Sequence, residues 1–215
     1  MTNNALNYIP TQYSVLSGGA SGGINNISPS TSGYVLTSNG LSSQPTFQAS
    51  SAVSGALVKL QTQSSASTAG IAFNSTYITS TYNIYVVVMN KVTVSTSGNL
   101  NLEVSTNNGS SYVSTGYLSG NAYMGYTSSS FGNENSTTFY QLFTGSSTAV
   151  SSGTVWLFNL PLSTGHSIYS DFFVGNDYWQ KGYGSNLTGS INNIQFYQSG
   201  GSNFSATATL YGLIQ

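Results

Sequence analysis

The amino-acid sequence predicts an all-β protein, a jelly-roll-like antiparallel β-sandwich that follows an extended N-terminal anchor and linker. Three observations support this fold class. From about residue 57 onward, apolar and polar residues alternate with the period of two that is typical of strands. Segments of turn composition, such as TNNGSS and QSGGSN, separate the alternating runs. No stretch has the apolar stripe of an amphipathic helix, and about nine or ten short strands are typical of a sandwich.

The clearest strand is expected at 99–105, where NLNLEVS places two leucines and a valine on one side and polar residues on the other. Such a strand covers a core with one face only. The runs 83–89 and 154–160 are apolar on both sides, which is typical of central strands covered by a second sheet or by a neighbouring subunit. The other strands expected from this pattern are 57–61, 69–74, 111–117, 137–143, 167–174, 189–198 and 205–213.

The chain is expected to divide into three parts. Residues 1–30 form an anchoring segment and a flexible linker, because apolar residues between 4 and 16 are followed by a stretch rich in Gly, Ser and Asn. Residues 31–56 form a connector, and residues 57–215 form the β-sandwich head domain. The N-terminus has neither the basic start nor the apolar run of a signal peptide, and no stretch approaches the length of a membrane span. We therefore expect no membrane insertion.

Charged side chains are nearly absent. Three basic and four acidic residues occur among 215, no arginine is present, and the formal net charge is −1. Clustered cations are needed to bind phosphates, so we expect no nucleic-acid partner. The chain has no cysteine, which excludes disulfides and thiolate metal sites. Its hydrophobic fraction of 39% is sufficient for a packed core, so hydroxyl and amide groups are expected to solvate the surface of a folded protein.

Two stretches resemble a known family. The segment TSGYVLTSNGLSSQPTFQ at 31–48 is similar to the G-x-V-L-T-S-N-G connector of phage and prophage tail-fibre-like proteins. The run INNIQFYQSGGSNFSATATLYGLIQ at 191–215 is similar to the C-terminal strands of β-sandwich domains in such proteins. The resemblance implies a virion appendage, typically a homotrimer, that projects from a phage particle and contacts the host surface. It leaves open whether the appendage sits on the tail or on the head.

The segment DFFVGNDYWQKGY at 171–183 is the best candidate for ligand contact. Aromatic rings bind the apolar faces of sugars, so a glycan or receptor contact is expected from Tyr178, Trp179 and Tyr183 in exposed loops, with Asp177 as hydrogen-bond acceptor. Asp171 and Asp177 also allow two weaker interpretations, a glycosidase pair or a Ca²⁺ site. Structural aromatics, with one carboxylate paired to Lys181, remain the simplest alternative.

No other motif indicates chemistry. His166 lies in the turn LSTGHSIY without a second histidine or a cysteine to share a metal, so a solvated turn histidine is expected. None of the many serines sits in a G-x-S-x-G elbow, and the N-x-S/T sequons are as frequent as chance predicts. We therefore expect a protein that is not an enzyme and that has no cofactor and no metal site.

The leading hypothesis is a virion structural protein, a fibre or appendage subunit of a bacteriophage. Its partners are then other copies in a homotrimer, other virion proteins that bind its N-terminal segment, and a glycan of the host cell surface. Such a protein is assembled in the host cytoplasm and released by lysis, which agrees with an N-terminus that lacks an export signal. The alternatives are a head fibre or capsid decoration protein without a receptor role, and a non-viral carbohydrate-binding adhesin module. A tailspike-like glycosidase is disfavoured because carboxylates are scarce.

Overall fold

The computed structural model divides the chain into two compact units, Met1–Ala52 (unit 1) and Val53–Gln215 (unit 2). The residues that the structure describes are 12–19, 23–50, 56–125, 129–132, 138–175, 178–185 and 187–213.

Unit 1 contains two β-hairpins. Its strands are β1 (Val15–Gly18), β2 (Ile24–Ile27), β3 (Tyr34–Thr37) and β4 (Thr46–Ala49). β1 pairs with β2 and β3 pairs with β4, both antiparallel. Composition predicts a flexible linker for much of the first hairpin, yet β1 and β2 pair there, and the Gly19 amide donates to the Gly23 carbonyl at 2.6 Å.

The structure of the second hairpin explains why glycine, asparagine and glutamine occur in the connector motif. Gly33 and Gly40 have φ angles of 90° and 91°, a left-handed conformation that glycine adopts without strain. Between the strands, the Asn39 amide donates to the Gln44 carbonyl at 2.6 Å and to the Thr46 hydroxyl at 3.0 Å. The Gln48 amide donates to the Asn39 side-chain oxygen at 2.8 Å. The turn of the motif is therefore held by side-chain hydrogen bonds in place of a hydrophobic core.

Unit 2 consists of two antiparallel sheets. The larger sheet has eight strands in the order β10-β9-β14-β13-β12-β7-β16-β5, and the smaller has four in the order β11-β8-β15-β6. The strands are β5 (Leu57–Thr68), β6 (Gly70–Phe73), β7 (Ile84–Val94), β8 (Gly98–Ser105), β9 (Leu118–Gly125), β10 (Ser129–Gly132), β11 (Tyr140–Gly145), β12 (Ser151–Phe158), β13 (Ser167–Val174), β14 (Tyr178–Ser185), β15 (Asn193–Gln198) and β16 (Phe204–Leu213).

Eight of these strands form a jelly roll. β5-β16-β7-β12 in one sheet and β6-β15-β8-β11 in the other have the strand order of that fold, in which successive strands alternate between the sheets except at the neighbours β8 and β11. The remaining four strands belong to two hairpins inserted into the jelly-roll order, β9–β10 after β8 and β13–β14 after β12. Because β13 pairs with β12 and β14 pairs with β9, the two insertions extend the larger sheet. The predicted β-sandwich and its jelly-roll character are confirmed.

The core lies between the sheets. The apolar side chains of β8, Leu100, Leu102 and Val104, are fully buried, as the alternation at 99–105 predicts. Aromatic rings fill the space between layers: Phe73 and Phe196 meet edge to face at 6.5 Å, and rings from β11 and β13 contact each other at 4.7 Å. Burying this apolar surface is the main driving force for the fold.

The two strands expected to be apolar on both sides are central in the larger sheet. β7 lies between β12 and β16, and its outward-facing Val86 is almost fully buried between cross-strand neighbours Trp156 and Tyr211. The run 83–89 is therefore apolar on both sides because aromatic side chains of the same sheet cover the outer face of β7.

The sequence prediction is wrong at 111–117 and incomplete at three strands. Residues 111–117 form a loop along the edge of β8, where the Val113 amide donates to the Val104 carbonyl at 2.9 Å and the Val104 amide donates to the Tyr117 hydroxyl at 3.0 Å. Strands β9, β10 and β14 are not expected from the sequence, because glycines and polar residues interrupt their alternation. Burial of Tyr117 raises the pKa of its hydroxyl.

The buried hydroxyl of Tyr85 provides a test of how the loop before β7 is held. It donates to the Thr79 carbonyl at 2.6 Å and accepts from the Thr79 amide at 2.7 Å. We expect Tyr85→Phe to lower the free energy of unfolding by about 1–3 kcal/mol, because both backbone groups lose their partner. Urea unfolding of this variant and of Tyr82→Phe, which changes the neighbouring ring in the same way, measures the effect. Equal losses in the two variants would contradict the assignment.

Candidate functional site

The inserted strands carry the group of residues best suited to bind a ligand. Along β13 the side chains of Ile168, Ser170, Phe172 and Val174 face the core, so the alternate residues face outward. Three of these outward residues, Tyr169, Asp171 and Phe173, form a row on the outer surface of the larger sheet. Together with Lys181 on β14 they are here called the aromatic patch.

An ion pair lies at the centre of the aromatic patch. Asp171 and Lys181 are cross-strand partners in the pairing of β13 with β14. The Lys181 ammonium is 4.0 Å from a carboxylate oxygen of Asp171, and the two side chains are 35% and 34% exposed. It is the only ion pair within the described part of the chain. A half-exposed pair at this distance contributes little to stability.

Tyr169 holds both members of this pair. Its hydroxyl donates to Asp171 Oδ2 at 3.3 Å, and the Lys181 nitrogen lies 5.2 Å from the centre of its ring. Interaction with the Tyr169 side chain, together with the charge of Asp171, raises the pKa of Lys181. The charged groups are therefore placed on the sheet before any ligand arrives.

Further aromatic surface surrounds the pair. Phe173, two residues along the strand from Asp171, is 69% exposed, which is unusual for a phenylalanine in a sheet. On the other side, Trp156 of β12 is the cross-strand neighbour of Tyr169 and lies nearly parallel to the Phe158 ring at 6.4 Å. Aromatic faces thus flank one carboxylate and one ammonium whose charges cancel.

Glycines allow β14 to approach the smaller sheet. A Cβ atom at Gly184 would lie 2.0 Å from the Tyr140 ring, and one at Gly182 would lie 2.5 Å from the Ser170 hydroxyl. Both glycines face the core, where the Gly182 amide donates to Ser170 Oγ at 3.0 Å. The alternation of β14 is hidden from a sequence pattern because two of its core positions, 182 and 184, carry no side chain.

The structure places the predicted contact residues on a strand where loops were expected. Tyr178, Trp179 and Tyr183 lie in β14, at register positions opposite Val174, Phe173 and Tyr169 of β13. For these three residues the structure describes the backbone alone. Asp177 lies outside the described residues. The sequence analysis anticipated a pairing of Lys181 with a carboxylate, which proves to be that of Asp171.

Tyr169, Phe173 and Trp156 were not among the predicted contact residues. The signal that could have found them is the alternation at 167–174, which was recognised as a strand but not used to separate inner from outer residues. Cross-strand pairing with Trp156 cannot be read from that segment, because it depends on the register between β12 and β13.

The prediction of a solvated turn histidine is wrong. His166 is only 2% exposed, with Nδ1 at 2.8 Å from the Leu187 carbonyl oxygen and Nε2 at 2.9 Å from the Leu162 carbonyl oxygen. The ring thus joins the turn after β12 to the segment after β14. Within the described residues it takes part in no cluster of acidic or histidine side chains that could hold a metal ion.

A second polar cluster lies on the outer face of the smaller sheet. The Tyr197 hydroxyl hydrogen-bonds to the Glu103 carboxylate, and burial raises the pKa values of both groups. The Asn101 amide is close enough to lower the pKa of Tyr197, yet neither of its polar atoms makes a hydrogen bond of regular geometry. The Phe139 ring meets Tyr197 edge to face at 6.5 Å. This cluster is more buried than the aromatic patch and less open to a ligand.

Comparison with known proteins gives no match to a family model, a curated protein or a solved structure. No helix of the described residues is long and apolar enough to cross a membrane.

The partly buried carboxyl group of Glu103 predicts a specific pH dependence of stability. Desolvation raises its pKa above the ordinary 4.5, so the folded state holds this proton to higher pH than the unfolded chain. Its contribution to stability is present below the unfolded value and is lost as pH rises through the folded value.

We therefore expect Glu103→Gln to be more stable than the wild type at about pH 7, with a difference that shrinks toward about pH 4. Urea unfolding of both proteins across this range measures the difference. A difference that is constant with pH, or that grows on acidification, would contradict the proposed burial of the carboxylate.

Proposed function

We propose that the chain is a subunit of a bacteriophage virion appendage, which attaches to the particle through unit 1 and presents unit 2 for adhesion to the host surface. The observation that carries this proposal is the contrast between the two units. Unit 2 has a continuous buried core, whereas the described hairpins of unit 1 leave most of their apolar side chains exposed. A segment of this kind is suited to assembly with other chains.

The exposure in unit 1 is found on both faces of a strand. Tyr34, Val35 and Leu36 are consecutive in β3 and are 41%, 49% and 43% exposed. Leu41, in the loop that follows, is completely exposed, and Ile27 is the single buried apolar side chain among the described residues of the unit. An isolated two-stranded hairpin is marginally stable in water. Burial of these side chains by neighbouring chains supplies the stabilisation that the unit itself lacks.

Homotrimerisation is the arrangement we propose for this assembly. The connector motif at 31–48, which resembles that of trimeric phage fibres, coincides with the hairpin of β3 and β4 and its exposed apolar residues. With seven charged side chains in the whole chain, contacts between subunits depend on apolar burial and neutral hydrogen bonds. Such contacts are nearly insensitive to salt.

The same proposal covers location and partners. The appendage assembles on the particle in the host cytoplasm and is released by lysis, with other virion proteins bound to the N-terminal segment. A head fibre or decoration protein without a receptor role is the nearest alternative. The aromatic patch favours adhesion over pure decoration, because it exposes rings that decoration does not require. The same observation supports a second candidate, a non-viral carbohydrate-binding adhesin module.

The trimer is tested by the mass of the full chain in solution. We expect light scattering after size exclusion to give about three times the 22.5 kDa of one chain at micromolar concentration, unchanged by high salt. Val35→Ser combined with Leu36→Ser should raise the protein concentration at which half of the trimer is dissociated by about tenfold or more, because apolar contacts are lost in every subunit. Leu118→Ser, at an exposed position of unit 2, is the matched control. A folded monomer at these concentrations would overturn the proposal.

The attachment role is tested by removing residues 1–50. Unit 2 keeps its complete core in this shortened chain, so we expect one cooperative thermal transition. Particles from lysates of cells that produce the full chain should carry it, as detected by an antibody against unit 2, whereas particles from cells that produce the shortened chain should not. Incorporation of the shortened chain at normal levels contradicts an anchoring role for unit 1.

A further inference from the structure

We propose that the aromatic patch binds a neutral saccharide, with Asp171 and Lys181 as hydrogen-bonding groups and Phe173 as the exposed ring against which a sugar stacks. The proposal rests on the adhesive function argued above and specifies its ligand and its residues. It moves the contact from the loops expected in the sequence to the outer face of β13 and β14.

The geometry of the ion pair in the patch indicates a small contribution to folding. Its N–O distance of 4.0 Å and the one-third exposure of both side chains make it a weak stabilising contact. Nevertheless two of the seven charges of the chain occupy this pair, and Tyr169 contacts both of them. A pair that is fixed in place but contributes little to folding is suited to bind an external group.

The chemistry of the patch matches that of a sugar. A pyranose ring has an apolar face of C–H groups and a rim of hydroxyls, each both a donor and an acceptor. The Asp171 carboxylate is purely an acceptor and the Lys181 ammonium purely a donor, so together they serve both roles of adjacent hydroxyls. Phe173 offers an exposed ring for the C–H face, at the position next to Asp171 on the same side of the strand.

The net charge of the aromatic patch and its length along β13 restrict the class of ligand further. The charges of Asp171 and Lys181 cancel, so the patch offers no net attraction to an acidic glycan or to a phosphate. Tyr169 and Phe173 are four residue steps apart along the strand, or about 13 Å, which is longer than a single pyranose ring. An oligosaccharide of neutral residues lying along β13 therefore fits the patch better than a monosaccharide does.

The position of the patch in the fold is independent support. Its four residues lie on the hairpin β13–β14, which the jelly-roll order does not require. The hairpin β9–β10, inserted elsewhere in the chain, pairs with it and continues the surface. Binding sites are commonly formed by insertions on a stable framework, because these can change without loss of the core.

The experiment uses the full chain and a printed array of neutral and acidic oligosaccharides, followed by saturation-transfer NMR with the strongest neutral glycan. We expect binding to neutral glycans that changes little between low and high salt. Phe173→Ala and Asp171→Asn should each weaken it by about tenfold or more, which corresponds to about 1.4 kcal/mol. Leu57→Ala and Lys59→Met, an exposed apolar residue and a lysine on β5 at the opposite edge of the larger sheet, are the matched controls and should bind as the wild type does.

Four outcomes overturn the inference: no neutral glycan bound, acidic glycans bound in a salt-sensitive manner, a host surface protein bound in place of a glycan, or neutral binding that survives both patch substitutions. Thermal unfolding of each variant shows that the loss of binding is not a loss of fold. Detection of the chain on particles separates this inference from the proposed function. A chain present on particles that binds no glycan refutes the ligand alone, and a glycan-binding chain absent from particles refutes the virion role alone.

Discussion

The packing of the smaller sheet against the larger is the interaction on which the rest of unit 2 depends. No disulfide is possible and one ion pair occurs among the described residues, so the free energy of folding comes from apolar surface buried between the layers. Each jelly-roll strand gives one face to this core, and that requirement fixes its register, because a shift of one residue would turn the apolar face to water. The outer faces are then free to carry other chemistry.

The same requirement explains what the sequence could predict. Strand β13 has a side chain at every core position, and β8 and β16 have one at nearly all of theirs, Gly212 of β16 being an exception, so their alternation is visible and their prediction is confirmed. β14 reaches the core through Gly182 and Gly184, because the Tyr140 ring and the Ser170 hydroxyl occupy the space a side chain would need. At Gly184 that need arises from Tyr140 of β11, which is distant in sequence from β14. A local pattern therefore cannot show it.

The candidate site, like the fold, could be predicted from the sequence only in part. The segment 171–183 was recognisable from its composition, since aromatic residues and two carboxylates stand close together in a chain with little charge. Which carboxylate Lys181 meets, and which ring supports the pair, depends on the cross-strand register of β13 and β14. His166 was misjudged for a related reason. Its partners are the backbone carbonyls of Leu162 and Leu187, and backbone groups leave no mark on composition.

The scarcity of charged residues affects the stabilisation of the two units differently. In unit 2, neutral hydrogen bonds accompany a continuous buried core. In unit 1, hairpins held by side chains such as Asn39 expose Tyr34, Val35 and Leu36, and no charged group compensates for that exposure. In the proposed assembly, apolar contact with other chains would stabilise unit 1, and such contact works at any ionic strength. That property suits the proposed role as a particle component exposed to an uncontrolled medium. The ion pair of the aromatic patch is the exception, and its weak contribution to the fold is the reason to look for its role in ligand binding.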